Sequence, residues 1–79
     1  MSNSFGSKEL QECLEKLGFY PKDSNSSHVK YFHKDGKKSK YPFLMVQVGK
    51  KNYGKNSCKR YVQELKQFGF TKEEIEKNL

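Results

Sequence analysis

Long apolar runs are missing from this chain, and with them any membrane span. No stretch approaches the roughly 18 consecutive apolar residues that a transmembrane helix needs. The polar start carries no signal-peptide core, so a cytoplasmic protein is expected. Cysteine is scarce. Cys13 and Cys58 each sit among apolar residues at helical spacing, which favours reduced core thiols over a disulfide. Histidine is equally rare, and His28 and His33 form no His-x-x-x-His pair, nor do the cysteines form Cys-x-x-Cys. A metal site is therefore not expected, and neither is any other cofactor. With 79 residues the chain makes one domain with a small core.

Acidic residues are nearly missing from the middle of the chain. Residues 1–27 carry three lysines against four acids, and residues 61–79 repeat that balance. Residues 28–60 carry nine lysines and Arg60 against Asp35 alone, so the whole excess of +7 originates there. Tyr31, Phe32, Tyr41, Phe43 and Tyr53 are interleaved with those lysines. Concentrated basic charge with aromatics between is the footprint of a polyanion binder; a lysine-rich surface kept soluble by charge is the plainer reading.

What is present is ordered in periodic blocks. Met1 to Gly6 reads as a loose lead-in and residues 7–78 as the domain. Ser7 can cap a helix with the stripe Leu10, Cys13, Leu14 and Leu17, closed by Gly18 and Phe19. Phe19-Tyr20-Pro21 begins a short or edge strand, because Pro21 cannot donate to a ladder. A second strand runs from His28 to the Asp35-Gly36 turn. A third spans Tyr41 to Val48, with Leu44, Val46 and Val48 toward the core. The glycine-punctuated loop 49–56 follows, and Asn56 or Ser57 can cap a helix whose inner side holds Cys58, Tyr61, Val62, Leu65 and Phe68. Its outer side holds Lys59, Arg60, Glu64, Lys66 and Gln67. Gly69 repeats the glycine stop, and Thr71-Lys72-Glu73-Glu74 is a capping box for a short last helix.

The simplest way to bury all these stripes is an α+β layout. It has a three-stranded antiparallel sheet with two helices on one face and a short C-terminal helix, in the order α-β-β-β-α. That is a double-stranded-RNA-binding-domain-like arrangement. Its open sheet face would present His28, Lys30, Phe32, Phe43 and Met45, because side chains alternate along a strand. Val29, Tyr31 and His33 would lie on the opposite face, which makes His33 a structural or merely exposed histidine.

At Leu17-Gly18-Phe19, Ser26-Ser27-His28, Asp35-Gly36 and the helix Ser57 to Phe70, the chain resembles the HicA (YcfA-like) family of toxins. The likeness runs from about Lys8 to Thr71. The family's signature reads Gly-Ser-His, and its glycine is Ser26 here. The Val-Pro-x-His that often ends its third strand reads Val46-Gln47-Val48-Gly49. The resemblance implies a metal-independent mRNA endoribonuclease with His28 as the catalytic residue, and a HicB-like antitoxin protein as partner.

The chemistry is coherent with that implication. RNA carries its own nucleophile in the 2′-hydroxyl, so an enzyme has only to move protons and stabilise charge on the phosphate. Histidine is the side-chain type suited to proton transfer near neutral pH. Ser27 can donate to a phosphate, and Lys30, Lys50, Lys51 and Lys55 can position and neutralise it. Phe32, Tyr31 or Tyr53 can stack unpaired bases. Two other classes stay open at this point: a non-catalytic RNA-binding module of the same fold, and a small domain whose aromatic face docks a protein.

Overall fold

The computed structural model describes residues 4–79. Three strands and three helices follow the expected order: α1 (Ser7–Lys16), β1 (Phe19–Lys22), β2 (His28–His33), β3 (Leu44–Gln47), α2 (Lys55–Gln67) and α3 (Lys72–Asn78). The sheet is antiparallel in the order β1-β2-β3. Its register sets Phe19 opposite His33 and Lys22 opposite Lys30, then His28 opposite Gln47 and Tyr31 opposite Leu44. The α+β architecture is thus the one the periodicities require. No helix among the described residues is long and apolar enough to cross a membrane.

One sheet face is buried, and the helices supply the other half of the core. Phe19, Tyr31, Leu44 and Val46 pack with Leu10, Cys13 and Leu14 of α1, Cys58, Tyr61, Leu65 and Phe68 around α2, and Ile75 of α3. Burial pushes the Cys13 thiol up to about 11, with nearby Lys16 only partly offsetting it. Both cysteines are free and buried, as inert core thiols should be. Gly18 closes α1 at φ +98, where an added Cβ would stand 2.9 Å from His33 Nε2. Gly69 closes α2 with a paired turn, in which Phe70 N–H donates to Leu65 O and Gly69 N–H to Lys66 O. At α3, Thr71 and Glu74 exchange the two bonds of the capping box.

Several boundaries differ from the sequence expectation, each for a local reason. β3 starts at Leu44 and not Tyr41, because Pro42 has no N–H for a ladder. Ser7 does not cap α1. Gly6 holds that position, its N–H bound by Glu9, while the Ser7 hydroxyl donates to Lys50 O and accepts from Lys50 N–H. The cap of α2 is Gly54 at φ +83, one turn ahead of Ser57. The lead-in is only partly testable, since Met1 to Asn3 lie outside the described residues. Phe5 and Gly6 are buried rather than loose. Phe5 N–H donates to Cys58 Sγ, and Tyr53 N–H donates to Phe5 O.

Gly6 has no room for a side chain. A Cβ there would fall 2.0 Å from Lys51 O. Gly6→Ala must therefore push the loop at 50–51 off α1 and break the Ser7–Lys50 bonds. The expected loss is about 1–3 kcal/mol, the usual range for overpacking, read as a lower midpoint in urea at unchanged slope.

Candidate catalytic groove and nucleic-acid interface

His28 is held by its backbone and left free at one ring nitrogen. The Asn25 carboxamide oxygen accepts from both Ser27 N–H at 3.0 Å and His28 N–H at 2.9 Å. Asn25 N–H returns a bond to His28 O at 2.9 Å. A side-chain amide that satisfies two successive N–H groups in this way is an Asx turn, which suits the polar segment leading into the strand. The imidazole Nδ1 lies 3.0 Å from Ser27 Oγ, and no bond among the described residues engages Nε2. Ser26 is not among the positive-φ residues. The turn here takes its shape from Asn25, so a glycine at 26 is not required.

Across the ladder from His28, the free edge of β3 is capped by two tyrosines. Gln47 N–H donates to the Tyr61 hydroxyl at 3.1 Å, and the Tyr53 hydroxyl donates to Gln47 O. With both backbone groups of Gln47 turned outward, His28 and Gln47 form a non-hydrogen-bonded pair, the kind whose side chains come closest. Burial raises the Tyr53 hydroxyl pKa, and the neighbouring Tyr61 adds to the effect. It stays a proton donor to the edge. Capping by α2 leaves a groove of about 480 Å³, lined by His28, Met45, Gln47, Arg60, Tyr61 and Glu64. That volume lies within the range of small-ligand sites, roughly 300–1,000 Å³.

The groove is charged from the helix side. Arg60 Nε stands 3.6 Å from Glu64 Oε2, and its guanidinium lies over the Tyr61 ring at 5.3 Å. Burial raises the Glu64 carboxyl above the ordinary glutamate value, and Arg60 partly offsets this. A second hollow of the same volume lies between the chain start, α2 and α3, walled by Phe5, Cys58, Val62 and Leu79 among lysines. No histidine lines it.

Four residues along β2 from His28, an aromatic row crosses the uncovered sheet face. Successive ring centroids are 6.2 Å from Tyr20 to Phe32, 5.7 Å from Phe32 to Phe43 and 6.1 Å from Phe43 to Tyr41. Lysines lean over the rings: Lys22 Nζ over Phe32 at 5.7 Å, Lys30 over Phe43 at 4.9 Å and Lys40 over Tyr41 at 5.8 Å. Lys22 and Lys30 are direct cross-strand partners. Like charges set opposite each other weaken a sheet, so this pair is a cost to folding.

Among the residues expected to form a site, His28, Lys30 and Phe32 share this face of β2 by alternation and Ser27 Oγ meets His28 Nδ1, but of the four only His28 lines the groove. Lys50, Lys51 and Lys55 do not line the groove, and Lys55 lines the second hollow instead. Tyr53 lines neither hollow; it is half-buried, its ring edge-on against Phe5 and tilted on Tyr61. Tyr31 is buried at 2% exposure and cannot stack a base. His33 is buried, with its ring held between Leu17 O at 2.8 Å and the Asp35 N–H at 3.1 Å. The Asp35 N–H fills Nδ1, so the proton sits on Nε2 and donates to Leu17.

The sequence reading missed Asn25, Arg60 and Glu64. Asn25 carried a signal, a turn-forming amide two residues ahead of a strand. The other two read as solvated helix positions. Asn25→Ala should cost about 1 kcal/mol of stability, and Asn25→Asp, which keeps the accepting oxygen, should restore most of it, as measured by thermal melts. No protein-family model, curated protein or solved structure matches this chain.

Proposed function

We propose that this chain is an RNA-binding toxin of a toxin–antitoxin pair, an endoribonuclease acting on mRNA in the cytoplasm. The observation that carries the reading is the aromatic row on the open sheet face with Lys22 and Lys30 set opposite each other beside it, on the same face of β2 as a histidine whose Nε2 makes no bond among the described residues. Fold stability alone selects neither exposed rings nor like charges in register. A single-stranded polyanion with flat bases supplies what both lack. Bases stack on the rings and phosphates neutralise the lysines. The resemblance at Ser26-Ser27-His28 supports the same reading and adds the expectation of a HicB-like antitoxin that covers this face.

The reaction these residues can perform is transesterification. The 2′-oxygen attacks the adjacent phosphorus, the bond to the 5′-oxygen breaks, and a 2′,3′-cyclic phosphate and a 5′-hydroxyl result. His28 supplies or removes a proton, and Arg60, which lines the same groove, stabilises the charge that builds on phosphate.

The test uses the purified full chain and one single-stranded sequence made as RNA and as DNA. Cleavage of the RNA alone, with a cyclic phosphate end, is the expected result, together with growth arrest on expression. An intact RNA and unaffected growth would overturn the enzyme reading. Salt-sensitive binding without cleavage would leave a non-catalytic RNA-binding module.

A further inference from the structure

Transesterification needs two proton transfers, one off the 2′-hydroxyl and one onto the departing 5′-oxygen. One histidine cannot hold both positions at once, because the two oxygens leave phosphorus in opposite directions. The helical pattern places Glu64 on the outer side of α2, yet it is half-buried and lines the same groove as His28. Besides Glu64, the charged or titratable residues of that groove are His28 from β2 and Arg60 and Tyr61 from α2. The Tyr61 hydroxyl is engaged by Gln47 N–H. That leaves one imidazole, one carboxyl and one guanidinium around a space that fits a nucleotide linkage.

We propose that Glu64 is the general base of this groove, with His28 as the general acid and Arg60 holding the phosphate between them. The assignment rests on the ribonuclease reading above. Glu64 carboxylate takes the 2′-hydroxyl proton as the 2′-oxygen bonds to phosphorus. The electron pair of the breaking P–O5′ bond goes to the 5′-oxygen, which receives the Nε2 proton of the His28 imidazolium. No water, metal or oxidant is consumed, and both protons are accounted for.

Local geometry suits each role. In the imidazolium form Nδ1–H donates to Ser27 Oγ, 3.0 Å away, and Nε2–H makes no bond among the described residues. Arg60 contacts Glu64 through Nε at 3.6 Å, so its terminal N–H groups stay available to a phosphate. Partial burial raises the Glu64 carboxyl above the ordinary glutamate range, which makes its carboxylate a better base than a solvated one, and the Arg60 charge partly offsets that rise. A surface i, i+4 ion pair serving only the helix would need neither the burial nor the shared groove.

The experiment measures cleavage of one single-stranded oligoribonucleotide by full-length wild type, Glu64→Gln and His28→Ala across pH. A second substrate carries sulfur in place of the bridging 5′-oxygen, a leaving group that departs without protonation. Wild type should lose rate toward acid through a limb lying above the ordinary glutamate range. In Glu64→Gln the rate should fall about 100-fold and that limb should vanish, while the far-UV spectrum and melting temperature hold. The 5′-thio substrate should restore His28→Ala and leave Glu64→Gln slow. Glu64→Gln with wild-type rate and an unchanged acid limb would overturn the assignment, as would rescue of Glu64→Gln by the thio substrate. A wild type that cleaves neither substrate would overturn the ribonuclease reading itself, a result separable from the other two.

Discussion

Replacing His28 with alanine is expected to remove the proposed RNA cleavage and to leave the fold standing. The ring makes one side-chain bond, to an exposed serine hydroxyl. The backbone bonds that anchor the strand, from Asn25 to the N–H and O of residue 28, do not involve it. Loss of a half-exposed ring outside the core is expected to change stability within about 0.5 kcal/mol. Loss of a proton-transfer group in the transition state is expected to cost about 10²–10⁴ in rate. The measurement is single-turnover cleavage at saturating protein, paired with thermal melts and RNA affinity. Unchanged affinity with a collapsed rate is the expected pattern. A variant that still cleaves within tenfold of wild type would remove His28 from the chemistry. His33 offers no substitute, since it is walled in by Phe19 and Phe70 and both ring nitrogens are spent on the chain's own backbone.

That contrast between two histidines on one strand was legible in the sequence, because strand periodicity alone separates odd from even positions. The glycine stops at Gly18 and Gly69 and the capping box at Thr71 were legible for a similar reason. Each is local chemistry between residues a few positions apart. What escaped was long-range. Ser7 has the right side chain to cap its own helix, but the hydroxyl is taken by Lys50, 43 residues away. Phe5 looked like part of a polar lead-in, and only the return of α2 brings Cys58 beneath it. Glu64 obeys the helical stripe and still faces a groove, because the stripe describes one core while the β3 edge makes a second neighbour for α2. The open face was partly readable. Phe32, Phe43 and Lys30 follow from alternation, whereas Tyr20 and Lys22 join them only through a register that no local pattern fixes.

Phe32 and Phe43 exchanged together for alanine are expected to weaken the proposed single-stranded RNA binding on the order of 10²–10³-fold, at about 1–3 kcal/mol per stacked base. Neither ring belongs to the buried core, so the variant should fold. The two rings stand at the centre of the row, 5.7 Å apart, and their removal leaves Tyr20 and Tyr41 without their neighbours. It also frees Lys22 and Lys30 from the rings they lean on. The charge survives while the stacking goes, which separates the two contributions. Affinity should fall at every salt concentration with the slope against salt nearly unchanged. Lys30→Gln should do the reverse, flattening the slope by about 0.7 for one phosphate contact on a single strand. Kinetics offer an independent check. Stacking holds ground state and transition state alike, so the ring variant should raise KM and spare kcat, the opposite of His28→Ala. A double variant that binds and cleaves RNA as wild type does would reassign the aromatic row to a protein partner, because these rings would then contribute nothing to the one ligand that also neutralises Lys22 and Lys30.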